Sequence, residues 1–161
     1  MAELTHVDAA GAARMVDVAS KDVSVREARA AGRVLVSAQV VTLLRGAGVA
    51  KGDALAVARI AGIMGAKKVP DLIPLCHPIA LHGVVVELTV ADDAVEIVAT
   101  CRTADRTGVE MEAMTAVAVA GLALVDMVKA VDPMVTITEV RVLSKIGGTS
   151  GDWHRDPGQG S

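Results

Sequence analysis

The sequence predicts an α+β sandwich in which one antiparallel sheet carries helices on one face. Three observations predict it. GVVVELTV (83–90) and AVEIVATC (94–101) read as two strands joined by the short turn Ala91-Asp92-Asp93. VTITEVRVLSKI (135–146) alternates as a further strand, with Val135, Ile137, Glu139, Arg141 and Leu143 on one face. Between these strands runs a long apolar segment, 109–131, whose pattern is helical.

The remaining elements follow from local signals. Residues 1–20 are turn-like, with Gly11 and short side chains. VREARAAGRVLV (25–36) has helical propensity, but its RVLV end is strand-like, and the segment is assigned as a strand. Ser37 can cap a helix over Ala38 to Arg45, which Gly46 and Gly48 would end. In 52–66, Leu55, Ala58, Ile60 and Ile63 fall near helical spacing behind a capping Asp53. A proline-rich loop, 70–78, comes next. The long helix is apolar on nearly every side between Glu112 and Asp126, so it is expected to be buried, and Asp132-Pro133 should end it. No internal repeat or linker divides the 161 residues, which form a single domain with a flexible tail over 152–161.

Composition narrows the function. The chain is 52% hydrophobic but has no Phe, no Tyr and one Trp, so Ala, Val, Leu, Ile and Met must fill the core. Small side chains bury little area each, and such a core gains the rest by packing against copies of itself, which points to an oligomer. A net charge of −3 and the lack of aromatic platforms argue against nucleic acid or an anionic membrane as partner. Cys76 and Cys101 form no CxxC pair, the beginning MAELTHVDAAG has no signal-peptide run, and the apolar run Ala113–Val125 is shorter than a bilayer span. A reduced, cytoplasmic setting fits.

Residues able to do chemistry cluster at element ends. DLIPLCHP (71–78) sets Cys76 and His77 between Pro74 and Pro78, and each proline stiffens the chain before it. That loop reads as a metal site, a binding corner or a plain structural turn. Adjacent side chains seldom converge on one ion, and His6, His82 and His154 have no ligand spacing with them, so no built-in metal is expected. Lys51, beside a helix start, suits an anion or is a solvated loop lysine. Asp126 and Lys129, three apart on the long helix, are either an exposed ion pair or a partly buried acid–base pair. Glu110 and Glu112 complement the dipole at the start of the same helix. Glu112 and Asp126 lie 14 positions apart, roughly 21 Å along a helix, so both can serve one small reacting centre only at a subunit interface. Lys21, Arg26, Arg102, Arg106 and Lys145 supply further positive charge, and Lys145 precedes the glycine-rich stretch 147–151, which lacks P-loop order.

Taken together, LTHVDAAGAARMVDV (4–18), VREARA (25–30), KGDALAVARIAGI (51–63), DLIPLCHP, TGVEMEAMTA (107–116), DMVKAV (126–131) and SKIGGTSGD (144–152) resemble the cyclic pyranopterin monophosphate synthase (MoaC) family over almost the whole chain. The resemblance implies a ferredoxin-like sandwich assembled as a homohexamer, a trimer of dimers with sites at the dimer interface. It implies a lyase of molybdenum cofactor biosynthesis that rearranges a cyclised GTP, 3′,8-cyclo-7,8-dihydro-GTP, into cyclic pyranopterin monophosphate and releases diphosphate. Carried over by position, Asp126, Lys51 and Lys129 match catalytic residues. Leu75, Cys76, His77, Met111, Glu112, Lys21, Arg26 and Lys145, with Arg106 beside them, match the substrate pocket. No cofactor is built in, and Mg²⁺ can ride on the substrate phosphates. The chain departs from the family pattern at Thr149 and Arg106, where lysines are usual, and at Pro70, where an aromatic is usual. A nucleotide- or pterin-binding module of the same fold, or a scaffold subunit, are the rival readings.

Overall fold

A computed structural model describes residues 3–46 and 54–158. The element order is β1 (Ser24–Leu35), α1 (Ala38–Arg45), α2 (Ala54–Ala66), α3 (Val69–Leu72), β2 (Gly83–Val90), β3 (Ala94–Asp105), α4 (Glu110–Val128), β4 (Thr136–Ile146) and β5 (Trp153–His154). The strands form one sheet in the order β2-β3-β1-β4-β5, with all pairings antiparallel. Without the two-residue β5 this is the βαββαβ plait of ferredoxin-like proteins. The α+β expectation therefore holds, and β1 is a strand despite its helical propensity. Twelve consecutive pairings with β3 outweigh that propensity.

Local chemistry explains most boundaries. The Ser37 side chain accepts a hydrogen bond from the Val40 N–H and starts α1. Gly46 ends it with an extended φ of −81° rather than a left-handed turn. Pro70 sits in the first turn of α3, a short helix inside the loop anticipated at 70–78. Asp53 and Gly48 lie outside the described residues. β3 runs four residues further than the strand pattern suggested, because β1 pairs with it as far as Asp105. α4 stops at Val128, before Asp132-Pro133 is reached. The expected tail is also shorter, since Trp153 and His154 pair with Lys145 and Ser144.

The core lies between the sheet and the α2–α4 layer and contains no aromatic ring. Such a core closes only if backbones approach. An added Cβ at Gly62 would lie 2.8 Å from the Ala116 carbonyl oxygen and 3.1 Å from the Ala120 Cβ, so α2 meets α4 almost backbone to backbone. This explains a departure on α2. Leu55, Ala58, Ile60 and Ile63 were expected inward. Ala54, Ala58, Gly62, Gly65 and Ala66 are the buried positions, while Ile60 is 58% and Met64 59% exposed. Leu55 and Ile63 still pack partly buried against the core, so of the four only Ile60 faces outward, and small residues take the crossing itself. α4 is long and apolar enough, by length and composition, to cross a membrane, which the shorter run Ala113–Val125 did not suggest. Half of it is buried here, between the sheet and α2.

β4 does not keep its expected alternation. Its register against β1 shifts twice, and Glu139 takes a left-handed φ of 57°. Val135 and Ile137 face the core as anticipated, but beyond them Val140 does so in place of Glu139. A bulge inserts a residue and turns the following side chains over.

Replacing Gly62 with Ala should lower stability by about 1–3 kcal/mol, because the new methyl meets a backbone oxygen that cannot yield by a rotamer change. A urea-unfolding midpoint unchanged from the native chain would refute this account of the crossing.

Candidate active site

The N-terminal end of α4 opens onto a cleft of about 240 Å³. Three parts of the chain wall it: Thr5 to Lys21, the proline loop at Leu75–His77, and Thr107 to Glu112. A smaller hollow adjoins it across Gly108 and Glu110, lined by Arg26, Lys145 and Gly147. Thus the fold brings Lys21, Leu75, Cys76, His77, Met111 and Glu112 around one space, with Arg26 and Lys145 beside it.

The proline loop is fixed from both sides. The Ile73 N–H donates to Val69 O and the Cys76 N–H to Ile73 O. Beyond Pro78, Thr103 Oγ1 donates to Ala80 O, and the His82 N–H to Arg102 O, which tie the loop to β3. His77 lines the cleft as the sequence reading placed it, and its Nε2 is also bonded to the Val16 carbonyl oxygen at 2.5 Å. A carbonyl only accepts, so Nε2 carries the proton and Nδ1 is left as the acceptor of the neutral ring. His77 holds the N-terminal segment against the loop.

The cations are also oriented. Arg26 Nε donates to Asp105 O. Gly148, at φ 88°, packs against the Arg26 guanidinium so closely that a Cβ there would overlap it. Its neighbour Gly147, at φ 87°, does the same against Val25 O. The paired glycines therefore seat the 147–151 loop on β1. Lys145 Nζ lies 3.0 Å from Ser150 Oγ and 3.5 Å from Glu110 Oε1. Arg106 Nε donates to Lys21 O, so the arginine braces the Lys21 backbone. Arg102 instead pairs with Glu27 on β1.

Glu112 is the unusual group. It is 3% exposed, and burial, with a smaller push from Glu110, raises its carboxyl to about 7. Cys76 is raised by burial and then by Glu112 and Glu110. Cys101, beneath them, is pushed up to about 12 by burial and by Glu112. Both thiols are held protonated, which makes neither a ready nucleophile.

Asp126 and Lys129 stand at the other end of α4. Lys129 Nζ donates to Asp126 Oδ1 at 2.6 Å, and both side chains are largely exposed. Helical rise sets Asp126 roughly 21 Å from Glu112, and Lys129 a further turn away. Lys51 lies outside the described residues. Within one chain, Asp126 and Lys129 are therefore not brought together with the residues matched as substrate-binding. Thr5, His6, Val16, Val18, Thr107, Gly108 and Glu110 line the cleft without having been singled out as site residues. The N-terminal ones carry no periodic signal, and only the Asp8–Gly11 turn chemistry marks them as ordered. Among the described residues no group of three or more His, Cys, Asp or Glu is placed to hold a metal ion.

Residues 15–148 match the MoaC family. The chain belongs to that family. It is 71% identical over 152 residues to the cyclic pyranopterin monophosphate synthase of Streptomyces avermitilis, and 72% identical to that of Streptomyces coelicolor. Each alignment covers 94% of this chain and 89% of the relative. Cyclic pyranopterin monophosphate synthase 2 of Mycobacterium tuberculosis H37Rv is 58% identical, covering 95% and 92%. The family resemblance read from the motifs is thus correct, and the relatives are enzymes of the lyase class in molybdenum cofactor biosynthesis.

The raised Glu112 carboxyl has a consequence for stability. Between about pH 4.5 and 7 the folded chain holds a proton that the unfolded chain has released, so stability falls as pH rises through this window and stays lower above it. Glu112→Gln should remove that slope, with a Tm above the native value at pH 8 and near it at pH 4. Parallel Tm-against-pH curves for the two proteins would contradict it.

Proposed function

We propose that this chain converts 3′,8-cyclo-7,8-dihydro-GTP into cyclic pyranopterin monophosphate and diphosphate, at a site shared between two subunits. The observation that carries the reading is the division of α4. Its N-terminal end holds the cleft and its phosphate-type cations, and its C-terminal end holds the Asp126–Lys129 pair. A cleft of about 240 Å³ is also smaller than the roughly 300–1,000 Å³ usual for a pocket that encloses a ligand. A second chain that brings the opposite end of its own α4, with Lys51, would complete it. The outward apolar side chains Val57, Ile60 and Met64 on α2 and Leu122 on α4 suit such an association, and a homohexamer of three dimers is the assembly we infer.

The chemistry then divides by residue. Arg26 and Lys145 take the triphosphate, with Lys21 at the cleft wall and Arg106 bracing it. Leu75 and Met111 give the flat ring its apolar faces. Glu112, poised near neutrality, holds or releases a proton as the ring opens and recloses. Asp126, Lys129 and Lys51 move the remaining protons. An oxygen of the sugar attacks the α-phosphorus, the bond to the β-phosphate breaks, and diphosphate leaves with its charge stabilised by the cations. Mg²⁺ travels on the phosphates, and the setting is cytoplasmic. Cys76 packs in the wall.

The test is to mix variants. The native chain with the cyclised GTP should yield diphosphate and a product that oxidises to a fluorescent pterin. Lys51→Ala, Asp126→Asn and Glu112→Gln should each lose most turnover while remaining oligomeric. When Asp126→Asn and Glu112→Gln chains are unfolded and refolded together, a shared site predicts recovery to about a quarter of native activity, since random pairing leaves one site in four intact. No recovery in mixed oligomers would exclude the shared site, and no turnover by the native chain would exclude the reaction.

A further inference from the structure

Nothing above assigns a part to the first turn of the chain, yet it forms one wall of the cleft. Thr5 and His6 line the same space as His77, Met111 and Glu112. They are held there by an ordered turn. The Asp8 carboxylate accepts from the Ala10 and Ala12 N–H groups at 2.9 Å each. The Asp8 N–H donates to Ala12 O, and the Arg14 N–H to the carbonyl of His6 itself. Gly11, at φ 83°, supplies the left-handed residue the turn requires. Val7 and Ala13 close it as a bridge. Past the turn, the bond from His77 to Val16 O pins the segment to the proline loop. An exposed stretch at a chain terminus would otherwise fray.

The position of His6 also indicates which part of a ligand it meets. His6 belongs to the cleft whose apolar lining is Val16, Val18, Leu75 and Met111. The hollow beyond Glu110, where Arg26 and Lys145 lie, does not include it. Flat heterocycles are held by apolar walls with a few polar groups at their edges, and phosphates by cations. An imidazole is well suited to such an edge, because it donates at one nitrogen and accepts at the other.

We propose that His6 is a further substrate-contacting residue, hydrogen-bonded to the polar edge of the heterocycle or sugar and not to the phosphates, and that His77 is the positioning residue that keeps its segment in place. This rests on the reading of the cleft as the site for the cyclised GTP.

The experiment compares native chain and His6→Ala in two assays: turnover of the cyclised GTP, and inhibition of that turnover by inorganic triphosphate. His6 is exposed, so the variant should fold with an unchanged Tm. Loss of one hydrogen bond predicts a fall in kcat/KM of about tenfold or more. Inhibition by triphosphate should stay within about twofold of native, since that ligand uses only the cations. A kcat/KM within about twofold of native overturns the proposal. So does an equal weakening of triphosphate inhibition, which would mean that the whole wall has shifted. A native chain inert towards the cyclised GTP is a separate result, seen before any variant is compared, and it removes the underlying reading.

Discussion

A core without aromatic rings is filled only when its backbones come close together, and this constraint shapes the molecule. Gly62 of α2 meets Ala116 and Ala120 of α4, and Gly32 of β1 meets Val117 and Val140. Gly121 of α4 lies against Ile137 of β4. Each contact depends on the absence of a side chain. The same economy of volume sends Val57, Ile60 and Met64 to the outer surface, because the crossing has no room for them. The exposed apolar side chains of α2 are thus the counterpart of an interior built from small residues.

The close packing also fixes where charge can lie. α4 is buried at Ala113, Ala116, Val117 and Ala120, and its first turn carries Glu112 inward with them. A carboxyl in that place is costly when ionised, and the neighbouring Glu110 adds to the cost. Natural chains retain such groups where function needs a proton-holding site near neutral pH, at the expense of stability. The two thiols nearby are raised by the same burial, and then by the carboxyl itself, so both stay protonated.

Much of the fold was legible because its signals are local. Ser37 announces α1, alternation announces β2 and β3, and an apolar run between two acids announces α4. What was not legible depends on partners distant in sequence. The inward face of α2 is set by how near α4 comes, which no hydrophobic period records. The turned-over half of β4 follows from a bulge at Glu139, a residue with no unusual propensity for it. For the site, the motif residues were readable as a set and the structure gathers most of them around α4's first turn. The role of His77 as a tether, and the presence of His6, required knowledge of where the N-terminal segment lies. The separation of Glu112 from Asp126 needed only the rise of a helix.

The short strand β5 gives the molecule an optical property. Trp153 is the sole tryptophan of a chain that has no tyrosine, and it is the cross-strand neighbour of Lys145. The residue is 43% exposed, and its ring centre lies 5.6 Å from the Arg155 guanidinium. Aromatic absorption and emission in the near ultraviolet therefore arise at one point, next to the strand that leads into the 147–151 loop. A change in the surroundings of that point can be followed without any attached label.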